Sequence, residues 1–164
     1  MRIRDLLSKE SIQLNAAPAS KNEIISQLVD LMDKSGKIAN KEQYLKDVLA
    51  REDSGTTGLG DGIATPHAKS SGVKEAGLAA ITVPAGTDFD SMDGLPSRLF
   101  FLIAAPDNSN DTHLELLSKL AAMLMDPDFA NALVDAKTVD EFFALIDAKE
   151  KDETINTTAP AAPE

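Results

Sequence analysis

The chain has 164 residues, with 27 acidic and 16 basic side chains, a formal net charge of -11 and no cysteine. The length favours one compact domain, and the lack of cysteine excludes disulfides, thiolate chemistry and thiolate metal sites. No apolar run approaches the roughly 20 residues that a bilayer span requires, so we predict a cytoplasmic protein. The negative charge argues against nucleic acid or an anionic membrane as the partner.

Two amphipathic helices are predicted in the first third of the chain. Residues 20–23 have the spacing of a capping box, and Gly36 supplies a C-terminal stop for the first helix. A second helix is predicted from near Asn40 to about Glu52, where a Ser/Gly/Thr segment begins. Arg51 therefore lies at the C-terminal end of a helix.

The segment Gly58–His67 has three glycines in five positions and ends on one of only two histidines. Pro66 fixes its own φ and favours an extended Thr65, so His67 is held by a stiff segment that follows an open one. Because few other side chains in this chain can act as a nucleophile, His67 is the first candidate. The alternative is a loop histidine that only bonds to backbone.

Two strand-like runs follow, Gly77–Val83 and Arg98–Ala105, and Pro and Gly bound them. The second run is almost continuously apolar, which predicts a strand buried on both faces of a sheet. Residues 11–14 and 63–65 could add short strands. Three further helices are predicted, at Thr112–Met125, Asp128–Asp135 and Thr138–Lys149.

The second histidine lies at the start of one of these helices. Thr112 and Glu115 have capping-box spacing, which puts His113 at the first helical position, where unpaired backbone N–H groups favour bound anions. A neutral His113 could donate a hydrogen bond to a phosphate oxygen there. The preceding polar loop, residues 106–111, leaves the end of the apolar strand, a usual place for a site in an α/β domain. The alternative is a histidine that merely neighbours the cap.

Arg51, His67 and His113 make a poor metal site, because the chain has no cysteine and no short-spaced histidine pair. They make a plausible phosphohistidine site if the fold brings them together. An imidazole with the usual pKa near 6.5 is largely neutral at about pH 7 and keeps a nucleophilic nitrogen. Arg51 would stabilise the charge of the phosphoryl oxygens. Alternatively, it offsets the helix dipole or pairs with Glu52 or Asp53.

The whole pattern resembles a known family, the IIA domains of the fructose and mannitol class of the bacterial phosphoenolpyruvate-dependent sugar phosphotransferase system, with their nitrogen-regulatory relatives. The resemblance covers about Arg2 to Lys149. It implies an α/β fold in which a central mixed, mostly parallel sheet of about five strands is flanked by helices. The residues that carry it are Arg51-Glu52, Thr57–His67, Phe100–Ala105 and Thr112–Leu117.

The resemblance also implies a phosphoryl carrier. His67 would accept the phosphoryl group through Nε2 from a phosphohistidine on the carrier protein HPr, and would pass it to a cysteine of the cognate IIB domain. A membrane IIC partner would import and phosphorylate the sugar. Arg51 and His113 would assist at this site, without a metal or a cofactor. Leu59 and Ile63 are candidates for an apolar rim where the partners dock.

Fructose is favoured over mannitol because Ala68–Ser70 and Phe89–Gly94 look most like the fructose-type members. The alternative function is a nitrogen-regulatory IIA that acts as a phosphorylation-dependent binding module. A nucleotide-binding enzyme is disfavoured, because the chain has no GxxxxGK[ST] sequence and its glycines precede Pro66 and His67 instead of opening a helix.

The end of the chain changes character after Lys149. The sequence KEKDETINTTAPAAPE has lost apolar periodicity and is richer in Thr, Ala and Pro. We predict a IIA domain over residues 1–149 and a disordered tail or linker over residues 150–164. A linker would tether the domain to IIB and IIC at the cytoplasmic face of the membrane, whereas the alternative is a frayed terminus.

Overall fold

The computed structural model describes residues 3–108 and 112–161, with side chains for residues 3–108 and 114–151. None of the helices in these ranges is long and apolar enough to cross a bilayer. A 3-10 turn at Lys9–Ser11 precedes the first strand. The helices are α1 (Ile3–Leu6), α2 (Lys21–Lys34), α3 (Lys41–Asp53), α4 (Thr112–Leu124), α5 (Pro127–Asp135) and α6 (Val139–Ala161). The strands are β1 (Ile12–Gln13), β2 (Gly58–Gly60), β3 (Ile63–Ala64), β4 (His67–Ser70), β5 (Gly77–Thr87) and β6 (Ser97–Pro106).

A central mixed sheet organises the fold, in the order β1-β5-β6-β3-β2, with β4 also paired to β6. β1 is parallel to β5, β3 and β4 are parallel to β6, and the pairs β5–β6 and β2–β3 are antiparallel. Ile63 pairs with Leu99 and His67 with Ile103, so β3 and β4 lie along β6 as one strand that Pro66 interrupts. The predicted α/β fold, with a mostly parallel central sheet flanked by helices, is confirmed. The sixth strand arises from this interruption, because proline has no N–H to pair.

β6 lies at the centre of the sheet and is buried on both faces, as its apolar run predicts. Phe100 and Leu102 pack with the core that α2 and α3 cover, whereas Phe101 and Ile103 pack with the core under α4, α5 and α6. The alternation follows from the two-residue period of a strand. Each fully buried side chain of this size contributes about 1.5–3 kcal/mol through the hydrophobic effect.

The two predicted N-terminal helices are confirmed, and their caps form as the sequence indicates. Ser20 Oγ accepts from the N–H of Glu23 at 3.2 Å, and Asn40 caps α3. The buried hydroxyl of Tyr44 donates to the carbonyl of Ile103 at 2.8 Å, and burial raises its pKa well above the usual value. This bond ties the first turn of α3 to Ile103, the residue of β6 that pairs with His67 in the sheet.

The last helix is longer than the sequence predicts, since α6 continues past Lys149 to Ala161. Glu150 is only 2% exposed, accepts from the N–H of Ile3 at 2.6 Å and pairs with Lys119 Nζ at 2.6 Å. The packed body therefore includes Glu150, one residue beyond the predicted boundary. The interpretation of residues 150–164 as a tail or linker stays a prediction, and residues 162–164 lie outside the described residues.

Replacement of Glu150 by glutamine is expected to lower the free energy of unfolding by about 1–3 kcal/mol at neutral pH, because a buried charged bond is lost. Burial raises the pKa of Glu150, but hydrogen bonds from Lys119, Ile3 and Arg4 outweigh it and hold that pKa below its ordinary value. A lowered pKa stabilises the fold above the unfolded-state pKa, and this stabilisation is lost as the pH falls through the folded-state value.

Urea titrations of wild type and Glu150→Gln between neutral pH and about pH 3 measure the effect, with the exposed Glu10→Gln as the matched control. The difference between wild type and Glu150→Gln should shrink below the ordinary glutamate pKa of about 4.3. If the difference in free energy of unfolding between the two proteins stays constant across this pH range, the lowered pKa of Glu150 is contradicted.

Candidate functional site

His67 opens β4, directly after the extended Thr65-Pro66 pair, and is 9% exposed. Its Nδ1 lies 2.9 Å from the carbonyl oxygen of Thr65. A carbonyl oxygen only accepts, so Nδ1 carries the proton in this bond and the lone pair of the neutral ring is on Nε2. His67 is thus a strand residue with a fixed tautomer. The sequence had allowed a loop position as the alternative.

The backbone that presents the Thr65 carbonyl is held on both sides. The N–H of Thr65 donates to the carbonyl of Thr57 at 3.0 Å, and the carbonyl of Pro66 accepts from the N–H of Ile103 at 3.0 Å. Pro66 itself fixes its φ. The hydrogen-bond acceptor of the imidazole therefore cannot turn away without breaking the sheet pairing around it.

His67 and Arg51 line the same surface pocket. Its other walls come from α3, from β4 and from the first turns of α4, through Asp47, Ala68, Lys69, Leu114 and Leu117. His113 precedes Leu114 in the first turn of α4, and its side chain lies outside the described residues. The same is true of residues 109–111 of the predicted polar loop. The fold brings Arg51 and His67 together, and it brings the start of α4 to the same pocket.

Arg51 lies in the last turn of α3, as predicted, and its Nη1 donates to the carbonyl of Gly55 at 2.7 Å. This bond fixes one edge of a guanidinium group that has five N–H donors in a planar fork. Glu52, one of its two predicted alternative partners, is instead buried against Thr57. The arrangement is suited to holding a doubly charged group at the pocket.

Asp47 is a site residue that the sequence analysis missed. Its carboxylate accepts from Gln43 Nε2 at 3.0 Å and from Ser70 Oγ at 2.5 Å, and Ser70 ends the strand that His67 begins. Asp47 thus ties α3 to β4 within the pocket lining. The available signal was its position four residues before Arg51, because residues at this spacing share one face of a helix.

The glycine run forms the tight turn between β2 and β3. Gly60 and Gly62 have φ values of 96° and 80°, and Asp61 between them has 56°. Of the two predicted rim residues, Leu59 is 42% exposed whereas Ile63 is buried at 6%. Ile63 as a rim residue is therefore wrong, because β3 turns its side chain into the core under α4 to α6.

Replacement of Gly62 by valine is expected to lower the free energy of unfolding by about 1–3 kcal/mol, because a β-branched residue is strained at positive φ. The nearest atom to an added Cβ is 4.0 Å away, so the backbone and not a clash sets the cost. Gly55→Val is the matched control, since that site is also open and has no positive φ. Equal denaturation midpoints for the two variants would contradict this explanation.

Comparison with known proteins identifies the family. A family model described as "Phosphoenolpyruvate-dependent sugar phosphotransferase system, EIIA 2" matches residues 5–149. This chain belongs to that family. The fructose-specific EIIABC component of Bacillus subtilis is 38% identical over 151 residues, which are 92% of this chain and 24% of the relative. The chain thus spans about a quarter of the length of that relative.

Solved structures of IIA proteins have the same fold. The nitrogen regulatory protein IIA-Ntr of Neisseria meningitidis superposes with a TM-score of 0.77 at 31% identity, over 88% of this chain and 98% of that one. The IIA-mannitol protein of Escherichia coli, in its complex with phosphorylated IIB-mannitol, superposes with a TM-score of 0.76 at 28% identity. The match covers 87% of this chain and 97% of that one. The resemblance stated from the sequence is confirmed, and this IIA domain functions in phosphoryl transfer within the phosphotransferase system. Among the described residues, no group of three His, Cys, Asp or Glu side chains is placed to hold a metal ion.

Proposed function

We propose that this IIA domain carries its phosphoryl group on His67, taking it from phospho-HPr and passing it to a cysteine of a fructose-type IIB domain. The observation that carries the proposal is the bond from His67 Nδ1 to the Thr65 carbonyl, because it puts the nucleophilic lone pair on Nε2. His67 shares its pocket with Arg51, a cation suited to phosphoryl oxygens.

The chemistry balances without a cofactor. Nε2 of His67 attacks the phosphorus, the Nε2–P bond forms, and the N–P bond of the donor breaks with its electron pair returning to the donor imidazole. Positive charge grows on the His67 ring as this bond forms, and the Thr65 carbonyl stabilises it by accepting from Nδ1. In the second step a thiolate of IIB attacks the phosphorus, and the electron pair of the Nε2–P bond returns to Nε2.

Arg51 and His113 have supporting roles in this proposal. Arg51 stabilises the equatorial phosphoryl oxygens, and His113, in the first turn of α4, donates a hydrogen bond to one of them. His113→Ala is expected to slow phosphoryl uptake by about 100-fold, whereas His113→Gln retains more activity because its amide still donates. Rapid-quench measurements of the label that appears on each variant give both rates. Equal rates for His113→Ala and His113→Gln would contradict the donor role.

Fructose is the proposed sugar, supported by the 38% identity to the fructose-specific relative. The alternative is a regulatory IIA that uses its phosphorylation state to bind a partner, and the similarity to IIA-Ntr favours it. Both functions start with the same phosphorylation of His67, so the acceptor distinguishes them.

Label transfer between purified components tests the proposal. The chain is incubated with labelled phosphoenolpyruvate, enzyme I and HPr, and is then mixed with either a fructose-type or a mannitol-type IIB domain. We expect an acid-labile, base-stable label on this chain that moves faster to the fructose-type IIB. A labelled chain that passes nothing to either IIB would favour the regulatory alternative, and a chain that takes no label would overturn the proposal.

A further inference from the structure

A buried carboxylate lies beside the site, although it does not line the pocket. Glu52 follows Arg51 in the last turn of α3 and is 6% exposed. Its two oxygens clamp one residue, since Oε2 accepts from the N–H of Thr57 at 2.8 Å and Oε1 from the Thr57 hydroxyl at 2.6 Å. The clamp closes the loop between α3 and β2 onto the end of the helix.

Glu52 also forms an ion pair with Lys21. Lys21 Nζ lies 2.9 Å from Glu52 Oε2, and the Lys21 side chain is 20% exposed. Lys21 is the first residue of α2, where the helix dipole disfavours a cation, so its position is explained by Glu52. Burial lowers the pKa of Lys21, but the hydrogen bonds and charges of Glu52 and Asp90 outweigh it and hold that pKa above its ordinary value.

The clamped loop contacts Arg51 directly and reaches His67 through Thr65. The carbonyl of Thr57 accepts from the N–H of Thr65, and the carbonyl of Thr65 accepts from Nδ1 of His67. Two residues earlier in the same loop, the carbonyl of Gly55 accepts from Nη1 of Arg51 at 2.7 Å. A continuous path of hydrogen bonds therefore runs from the buried carboxylate to the imidazole, and a second contact of the loop holds the guanidinium.

We propose that Glu52 is a positioning residue for phosphoryl transfer, which through Thr57 fixes both the tautomer of His67 and the placement of Arg51. This inference rests on the proposed function for its effect on rate, but its effect on the His67 tautomer stands apart from that function. Glu52 acts through geometry, because an amide in its place satisfies the same neighbours. The amide oxygen of glutamine accepts from the Thr57 N–H and from Lys21, and its NH₂ donates to the Thr57 hydroxyl, which can accept as well as donate.

Four variants test the path. Glu52→Ala removes the clamp and Glu52→Gln preserves it, while Thr57→Val removes only the hydroxyl and Thr57→Ser restores it. Asp53→Ala, at the exposed next position of α3, is the matched control. Two quantities are measured: the ¹⁵N chemical shifts of the His67 ring, which report the Nδ1–H tautomer, and the rate of labelling by phospho-HPr.

We expect Glu52→Ala to lower both the Nδ1–H fraction and the labelling rate, the latter by about 10- to 100-fold, since small misplacements of reacting groups cost this much. Thr57→Val should change both in the same direction by a smaller factor. Glu52→Gln, Thr57→Ser and Asp53→Ala should match wild type. If Glu52→Ala does not fold, the Thr57 pair decides the question.

A folded Glu52→Ala or Thr57→Val with the wild-type tautomer and the wild-type rate would overturn the inference, even if its stability falls. If Glu52→Gln loses both the Nδ1–H tautomer of His67 and the wild-type labelling rate, the inference is also overturned, because the charge of Glu52 and not its geometry would then matter. Failure of the proposed function has a different signature: wild type takes no label from phospho-HPr. The tautomer measurement, which needs no partner protein, still decides the role of Glu52 in that case.

Discussion

His67→Asn is expected to abolish phosphoryl uptake from phospho-HPr while the fold stays intact. The asparagine amide nitrogen stands close to the position of Nδ1 and can donate to the Thr65 carbonyl, so the local hydrogen bond survives. The nucleophilic Nε2 is lost entirely, and no other atom of the residue can replace it. The label on the protein should therefore fall to the level found without donor.

The stability of this variant separates chemistry from folding. We expect its free energy of unfolding to lie within about 2 kcal/mol of wild type, because asparagine leaves only a small void at a site that is already near the surface. Labelling and urea denaturation on the same preparation give both numbers. Full labelling of His67→Asn would show that another residue accepts the phosphoryl group, and His67 would then not be the phosphoryl acceptor.

Arg51→Gln should lower the rate of phosphoryl uptake by about 100- to 1000-fold, the usual cost of losing one donor to the charge that develops in a transition state. Glutamine removes the charge, and because its side chain ends two bonds short of Nη1 it also loses the 2.7 Å bond to the Gly55 carbonyl. Arg51→Lys keeps the charge but loses the planar fork, and its rate should lie between those of wild type and Arg51→Gln.

Arg98→Gln is the matched control for Arg51. Arg98 is also a partly exposed arginine that donates to a backbone carbonyl, that of Pro84 at 3.2 Å, but it does not line the pocket of His67. Single-turnover labelling of the three variants, with denaturation curves beside it, measures the effect. An Arg51→Gln rate equal to that of Arg98→Gln would leave Arg51 with a role at the helix end only.

Local patterns were enough to predict most of the elements. The capping box at Ser20 and Glu23 and the cap at Asn40 depend on residues three apart, so they form wherever that segment is placed. The apolar run of β6 predicted burial on both faces, because alternate residues of a strand point to opposite faces and here nearly all of them are apolar. These elements and the family resemblance are properties of the sequence itself.

The sequence misjudged features that depend on partners far along the chain. The continuation of α6 beyond Lys149 accompanies contacts of Glu150 with Ile3 and Lys119. β4 was not predicted as a strand, because only its pairing with β6 makes it one. Neither feature has a local signal, since a short polar segment obtains its structure from the surface that it contacts.

The sequence by itself determined which residues can carry chemistry here: two histidines, an arginine and a stiff Thr-Pro-His segment, in a chain without cysteine. Only the tertiary structure decided that Arg51 and His67 line one pocket and that Nδ1 of His67 is the protonated nitrogen. It also decided that Glu52 turns away from Arg51 to clamp Thr57. The physical reason is that hydrogen bonds select a tautomer and a side-chain direction, and their acceptors are backbone groups that the sheet brings into place.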